Sequence, residues 1–265
     1  MRITRRLIAG GAAALLGAPA LAAPSAFEPD PWVAYETRLR ARLADAGGGR
    51  FDEAGARQVL ALTNAAREAE RAKPLAWHEE LEAAARAHAA DLVQRGYMEH
   101  LSPEQFDPSH RFWLLGRRTI GSPSENIAVH RGGRAATPAD LMGIWRRSPG
   151  HWGNLLKASH THAAFGLVRR GGDAFVVGLY ARPLTSLSQP LPFRVQSGEA
   201  LARTLQTVWD GARDLQPYLA TPQGSARPTT RQPAGASRMF QVSARRPAEG
   251  GGFELIGGPI FLLLS

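Results

Sequence analysis

The chain has no cysteine among its 265 residues. A disulfide framework, a zinc–thiolate site and a cysteine nucleophile are therefore excluded. Long apolar runs are missing as well, since no stretch reaches the length of about 18 residues that a membrane-spanning helix needs. The composition, with 44% hydrophobic and 21% charged residues, is typical of a globular protein that buries a core without covalent staples.

Lysine is scarce, because only two of the 32 basic residues, Lys73 and Lys157, are lysines. Acidic residues are scarce in one region: residues 105–183 hold eleven basic residues and four acidic ones. Such a surface would attract anionic partners, such as phospholipid head groups or wall polymers. The alternative is that the arginines reflect only the base composition of the genome. No nucleic-acid recognition motif is found, so nucleic acid is not an expected partner.

The first 23 residues predict a secretory signal peptide. They combine three arginines, an apolar stretch from Leu7 to Leu16 and an A-x-A cleavage pattern at Ala20 and Ala22. The pair Arg5-Arg6 also fits a twin-arginine export signal, whereas an ordinary signal with two chance arginines is the alternative. Removing the signal's three arginines lowers the formal net charge from +9 to +6. We expect an exported protein, periplasmic or extracellular, whose mature chain begins near residue 23 or 24.

Apolar spacing along the next 160 residues or so predicts helices followed by a hairpin. The region 101–135, rich in proline, glycine and arginine, is expected to be irregular. Helices are expected at 31–46 and at about 54–71, from His78 to Gly96, and from Thr137 to the Pro149-Gly150 break. The segment "AAFGLVRRGGDAFVVGLYAR" reads as two strands around a glycine turn. This order predicts an α+β layered domain.

Beyond Pro183 the pattern indicates an extension rather than a second domain. A helix over 197–219, a loop over 221–237 and two strands, "RMFQVSA" and "FELIGGPIFLLL", offer little apolar surface for independent folding. We therefore expect residues 184–265 to pack on the preceding domain.

Four motifs occur in order and at the spacing of a known family. They are the stretch "LALTNAAREAERAKPLAWHEELEAAARAHAADLVQRGYMEH", its continuation "GYMEHLSP", the strand "SENIAV" and the segment "WRRSPGHWGNLL". Together with the hairpin, they resemble the CAP superfamily (cysteine-rich secretory proteins, antigen five and pathogenesis-related one) in its bacterial, SCP-like form. The resemblance covers residues 55–183, after a signal peptide (1–23) and an N-terminal extension (24–54).

The resemblance implies a CAP-type α-β-α sandwich with a central antiparallel sheet, plus an N-terminal helix and a C-terminal extension. It also implies a cleft that carries two histidines and two acidic residues. Carried over to this sequence, these are His100, Glu125 and His151, with Asn126 beside them. Ser148 stands where many eukaryotic members have the second acid, so the constellation is His-Glu-His. Trp145 and Trp152 are expected to pack on either side of His151.

Two imidazoles and a carboxylate match the ligand count of a zinc site with an open position. His100, His151 and Glu125 are thus candidate ligands of weakly bound zinc, whose affinity would fall below about pH 6.5 as the imidazoles protonate. The same groups could instead form a hydrogen-bonded cluster that holds loops together. Glu125 and Asn126 could equally satisfy loop backbone groups.

The other histidines attract structural interpretations. His88 lies on an apolar helix face and is expected to pack in the core. The stretch "HEELE" at His78 has Glu82 where a metalloprotease helix needs a second histidine, so that motif is rejected. His160 and His162 are expected in a solvated loop, and His110 and His130 have no clear partner.

Two functional classes remain open at this point. The first is a non-catalytic binding module for a lipid, a sterol-like molecule or another apolar or anionic ligand of the cell envelope, as the resemblance implies. The second is a hydrolase that uses the cleft, in which a histidine acts as a base or holds a metal-bound water. No nucleophile motif is apparent and the second acid is missing, so the first class is favoured. No catalytic residue is assigned.

Overall fold

The computed structural model describes residues 30–208, 215–222, 238–248 and 250–264. Within these ranges there are seven helices: α1 Pro31–Ala44, α2 Glu53–Ala69, α3 Glu79–Arg95, α4 Pro108–Leu115, α5 Pro138–Arg146, α6 Pro149–Leu156 and α7 Gly198–Val208. None of the helices in the described ranges is both long enough and apolar enough to cross a membrane.

The strands form three sheets in the same ranges. Their bounds are β1 Arg50–Phe51, β2 Ala76–Trp77, β3 Thr119–Ile120, β4 Ser124–His130, β5 His162–Arg170, β6 Asp173–Ala181, β7 Thr185–Ser186, β8 Arg194–Val195, β9 Gln216–Ala220, β10 Met239–Pro247 and β11 Phe253–Leu263. The main sheet has the order β1-β5-β6-β4, with β2 beside β5; the others are β8-β11-β10-β9 and β3-β7. Pairing is antiparallel except for β2 with β5 and β8 with β11.

Helices cover both faces of the main sheet, as the alternation of its residues requires. On one face, Ala164 and Val177 pack in a cluster with Leu81, Ala85 and Leu92 of α3. The opposite face of the sheet packs on helices α2 and α5; there Phe165 and Val176 share a cluster with Val59, Leu141 and Trp145. The predicted α+β class and α-β-α sandwich are thus confirmed.

Helix α3 approaches β5 so closely that one sheet position has no room for a side chain. A Cβ added at Gly166 would collide with the backbone of Ala85 and Arg86. The helix allows this approach because alanines line its buried face, including Ala84, Ala85 and Ala89. His78 caps the helix start through its ring nitrogen, and Gly96 ends it in the left-handed conformation with φ of 70°.

The residues after Pro183 pack on helix α4 and on the segment that follows it. The Trp113 indole Nε1 donates to the carbonyl of Gly121 at 2.7 Å, and its ring lies against Gly257 of β11. The Arg117 guanidinium donates to the carbonyls of Leu191 and Ile260 at 2.7 and 2.9 Å. Ile120 also joins an apolar cluster with Val242 and Phe261.

Three predicted segments need correction. The region 101–135 is not irregular, because it contains α4, β3 and β4. The Pro149-Gly150 break does not simply stop a helix: α5 ends at Arg146 and Pro149 opens α6, a position that suits proline because it needs no amide donor. The helix predicted over 197–219 is described only over Gly198–Val208, and its predicted last residues are not helical, because Gln216–Ala220 pairs with β10.

Some predictions fall outside the described residues. The signal peptide at 1–23 and most of the loop predicted at 221–237 belong to this group. The first helix, the helix from His78 to Gly96 and the hairpin around Gly171 agree with the structure. The last two predicted strands appear as β10 and β11.

We expect that residues 184–265 do not fold alone, because their apolar residues Phe193, Met239 and Ile260 share a cluster with the main domain. A fragment of these residues should show no cooperative thermal unfolding by circular dichroism, whereas the full chain should. A cooperative transition from the fragment would establish a second domain and contradict this prediction.

Candidate functional site

A buried ion pair lies at the start of the edge strand β4. The side chain of Glu125 is only 1% exposed, and its Oε2 accepts from the Arg111 guanidinium at 2.7 Å. Its Oε1 lies 2.8 Å from Nδ1 of His100, in the loop that follows α3. Both carboxylate oxygens are therefore engaged, one by a guanidinium and one by an imidazole.

Arg111 is fully buried and links three segments of the chain. Besides Glu125, its guanidinium donates to the carbonyls of His100 at 2.9 Å and Phe106 at 3.1 Å. Helix α4 places it there because Asp107 and His110 form a capping box that fixes the first turn. A buried charge with these partners holds β4, α4 and the loop of His100 in one arrangement.

His88 extends this polar cluster into the core. Its ring is completely buried, with Nε2 lying 3.1 Å from the carbonyl of Glu99 and 3.9 Å from Oε1 of Glu125. Tyr97 donates its hydroxyl to Asp91 at 2.8 Å and lies 3.4 Å from Nδ1 of His88. The predicted burial of His88 is confirmed, but its environment is polar rather than purely apolar.

Asn126 belongs to the opposite face of β4, because successive strand residues alternate. Its Nδ2 donates to the carbonyl of His151 at 2.9 Å, and its Oδ1 accepts from Asn154 at 3.0 Å. Ser124 donates to Oδ1 of Asn154 at 2.7 Å, and the His160 Nε2 lies 3.2 Å from the same oxygen. This amide cluster attaches α6, and so His151, to the sheet edge.

His151 has a local partner in Ser148. Its Nδ1 lies 2.8 Å from the Ser148 hydroxyl, which makes no capping bond to the helix backbone although it occupies the N-cap. Trp145 is buried beneath this segment and Trp152 is half-buried. The Arg146 guanidinium lies 5.4 Å from the centre of the Trp152 ring.

The pKa values of the two site histidines shift in opposite directions. The hydrogen bond to Glu125 raises the pKa of His100, against the effect of burial. Burial lowers the pKa of His151, and the nearby charge of His100 lowers it further. The site therefore combines an imidazole whose charged form is stabilised with one whose neutral form is stabilised.

The buried members of the site keep fixed protonation states. Burial alone would raise the pKa of Glu125, but Arg111, His88 and His100 hold it below its usual value. Burial lowers the pKa of His88 to about 3, with the charge of Arg111 acting in the same direction. Burial also lowers the pKa of His160 to about 4. Glu125 is thus ionised at neutral pH, whereas His88 and His160 are neutral.

These residues do not fit a resident zinc ion. In the described part of the chain, no three histidine, aspartate or glutamate side chains lie together as a metal-binding group. Glu125 already satisfies Arg111 and His100, and a guanidinium against the carboxylate opposes a second cation there. The hydrogen-bonded cluster, which the sequence left open as the alternative, matches this geometry.

The structure distributes the predicted site residues over two connected clusters. His100 contacts Glu125 directly, whereas Ser148 contacts His151, and Asn126 reaches the backbone of His151. The charge of His100 lowers the pKa of His151, whose ring hydrogen-bonds to Ser148 rather than to His100.

Several site residues were missed by sequence reasoning. Arg111 and Asn154 were not singled out, and His160 is buried and stacked on Tyr180 rather than exposed in a solvated loop. The signal for Arg111 was its place on the apolar side of "HRFWLL", where an arginine needs a buried acidic partner. Of the remaining histidines, His110 caps α4, His130 ends β4 and His162 begins β5.

Arg67 of α2 supports the same region from below. Its buried guanidinium donates to the carbonyls of Leu155 at 2.8 Å and Lys157 at 3.1 Å, and more weakly to His160 at 3.4 Å. Its Nε donates to the backbone carbonyl of Lys73 at 2.7 Å. The end of α6 and the segment that places His160 are thereby fixed to the helical layer.

Comparisons with known proteins agree with the arrangement described above. Residues 60–180 match the family model "CAP: Cysteine-rich secretory protein family". Over 117 residues the chain is 35% identical to the uncharacterized protein YkwD of Bacillus subtilis, a match that spans 43% of each chain. Residues 60–180 therefore match a CAP domain of the bacterial, SCP-like type. The matched residues fall inside the predicted domain at 55–183.

Two solved structures resemble part of the chain. One is an outer surface protein of Borrelia burgdorferi, with a TM-score of 0.45 and 14% identity, covering 51% of this chain and 98% of that one. The other is an extracellular protein of Bacillus anthracis that contains an SCP domain, with a TM-score of 0.41 and 24% identity, covering 49% of this chain and 40% of that one.

Replacing Arg111 by methionine should destabilise the chain by about 3–5 kcal/mol, because it leaves the buried Glu125 charge without its guanidinium partner. Urea unfolding measures this loss. The matched control is Arg118→Met, at an exposed arginine, which should change stability by no more than about 0.5 kcal/mol. The double variant Arg111→Met/Glu125→Gln should lose less than the sum of the two single variants. A loss below about 1 kcal/mol for Arg111→Met would contradict the importance of the ion pair.

The two site histidines should titrate on opposite sides of the ordinary imidazole pKa of about 6.5, with His100 above it and His151 below. Folding favours protonated His100, so its contribution to stability is present below about pH 6.5 and is lost as the pH rises through its folded-state pKa. NMR titration of the imidazole signals measures both values. Glu125→Gln should lower the pKa of His100, and an unchanged value would refute the assigned cause.

Proposed function

We propose that this chain is an exported CAP-domain protein whose cleft residues bind a ligand of the cell envelope without catalysing a reaction. The observation that carries the proposal is the complete engagement of Glu125 by Arg111 and His100. A general base or a metal ligand needs a lone pair that its target can reach. This carboxylate is only 1% exposed and each of its oxygens already accepts a hydrogen bond, so a ligand in the cleft cannot reach it. Its role is to position His100 and to favour the charged form of that imidazole.

The exposed part of the site suits an amphiphilic ligand with a polar or anionic head. The His100 side chain is 53% exposed, and its Nε2 is not used by Glu125. Arg146 and Arg147 are exposed just before Ser148 and add positive charge. The half-buried Trp152 supplies an apolar surface beside them. A lipid, a sterol-like molecule or another envelope component would combine these two chemistries.

Export is part of the same proposal. The signal-like residues 1–23 support it, because an arginine-containing start, a short apolar stretch and an A-x-A pattern direct a chain out of the cytoplasm. The absence of cysteine is compatible with either side of the membrane. We place the mature protein in the periplasm or outside the cell.

Ligand capture tests the binding function directly. The full chain, freed of bound lipid, is incubated with an envelope lipid extract, re-isolated and extracted for mass spectrometry. The wild type should retain a selected set of molecules, and His100→Ala and His151→Ala should retain at least about fivefold less, the effect of losing about 1 kcal/mol of binding. His162→Ala removes a half-buried histidine outside the cluster and is the matched control. Equal retention by all four proteins would contradict the proposal.

One contact favours a second candidate, a hydrolase. The Ser148 hydroxyl lies 2.8 Å from Nδ1 of His151, whose lowered pKa keeps the imidazole neutral and able to accept a proton. Such a pair could activate the hydroxyl for attack on an ester carbonyl. In the described structure no carboxylate orients His151 from its other nitrogen, which is why we rank this candidate second.

The same capture samples discriminate between the two candidates. Hydrolysis would convert ester lipids during the incubation, so that free fatty acid would accumulate with time in the wild type and not in Ser148→Ala. Binding alone would return the lipids unchanged in both proteins. Release of fatty acid that depends on Ser148 would replace the binding proposal by the hydrolase.

A further inference from the structure

Three glycine-rich loops meet at the end of the main sheet that lies away from the cleft residues. They are residues 47–49 before β1, 131–136 after β4 and the turn 171–172 between β5 and β6. The strand register places them there, because Glu125 pairs with Leu179 near one end of β4, whereas His130 pairs with Ala174 at the other. The loops line an open cavity of about 330 Å³.

Guanidinium groups dominate the polar lining of this cavity. Arg50, Arg169 and Arg170 line it together with four glycines, Ala135 and a single carboxylate, that of Asp173. The Asp173 carboxylate already accepts from the backbone amide of Gly132 at 2.8 Å and lies 4.0 Å from the Arg131 guanidinium. It is therefore committed to the loop and does not neutralise the cavity.

Two of the three arginines keep an unbalanced charge. Arg169 contacts Asp52 at 2.5 Å and the carbonyl of Ala136 at 2.7 Å. Arg170 is exposed and uses one nitrogen for the carbonyl of Val93 at 2.9 Å. Arg50 is exposed as well. Among the residues that the structure describes, neither Arg50 nor Arg170 has a carboxylate within ion-pair distance.

Arg50 lies opposite another arginine, so its positive charge is unfavourable unless an anion is present. Arg50 and Arg169 are directly opposite each other on the antiparallel strands β1 and β5. Like charges at such cross-strand positions repel and destabilise a sheet. Asp52 forms an ion pair with Arg169 only. Burial raises the pKa of Asp52, but the hydrogen bond from Arg169 and, to a smaller extent, the charge of Arg50 hold it below its usual value. An anion between the two guanidinium groups would remove the remaining repulsion.

The glycines leave space for that anion. Gly48 and Gly171 adopt positive φ values of 83° and 58°, and a Cβ at either position would meet no atom within 4 Å. Packing therefore does not require these glycines.

We propose that this cavity, here called the arginine–glycine pocket, binds a phosphate group. The arginine donors come from two neighbouring strands, and a phosphate presents three acceptor oxygens where a carboxylate presents two. The volume admits a phosphate together with part of the alcohol to which it is esterified. The pocket shares no residue with the cleft, so this inference goes beyond the proposed function. A small phosphate ester and a phospholipid head group both supply the required chemistry.

The test compares wild type with two pocket variants and one control, all as the full chain. Arg50→Gln and Arg170→Gln each remove one exposed guanidinium of the pocket. Arg118→Gln removes the same charge from an exposed arginine outside it. Inorganic phosphate is titrated calorimetrically at constant ionic strength. Both pocket variants should bind about tenfold more weakly than wild type, since one charge-assisted hydrogen bond contributes on that order. Arg118→Gln should bind like the wild type.

A second arm identifies the source of the phosphate. Sedimentation with phosphatidylglycerol vesicles is compared with phosphatidylcholine vesicles for the same four proteins. Selective sedimentation that Arg50→Gln abolishes assigns the pocket to a lipid head group, whereas calorimetric binding without vesicle selectivity assigns it to a soluble phosphate ester. The proposal is overturned if the pocket variants bind phosphate like the wild type. It is also overturned if Arg118→Gln loses as much binding, since net charge alone would then be responsible.

Discussion

The ion pair between Glu125 and Arg111 is the interaction on which the site depends. It joins the edge strand of the main sheet to a helix that is separate from it in sequence, and both partners are removed from water. Burying two charges costs free energy, and only good geometry with further hydrogen bonds offsets that cost. Here Arg111 also satisfies two carbonyls, and Glu125 also receives His100. The pair contributes one fixed arrangement of β4, α4 and the His100 loop rather than a large net stability.

Strand β4 serves two clusters because its side chains alternate. Glu125 faces the layer of α3 and α4, whereas Asn126 faces α6. The two neighbouring residues thereby connect helices on opposite sides of the sheet, and each brings one histidine to the same edge. This explains why the charge of His100 acts on His151 although the two rings have different hydrogen-bond partners.

The sequence predicts the local features of this fold well, because local signals determine them. The helix from His78 to Gly96 has both caps in its sequence, and the Gly171-Gly172 pair marks the hairpin turn. Arg111 could not be assigned to Glu125 in the same way, since fourteen positions separate them and only tertiary packing brings them together. The short strand Gln216–Ala220 shows the same limit, because pairing with β10 overrides an amphipathic helical pattern.

The contact between Gly166 and helix α3 has a mechanical consequence. The backbone of the helix rests directly on the sheet there, so that any side chain at this position would have to lift the helix at Ala85. Such a displacement would move helix α3. This helix carries His88 one turn after Ala85, and the chain leaves it through Gly96 toward His100. A substitution at Gly166, a buried position with no chemical role of its own, would therefore shift the imidazoles of His88 and His100.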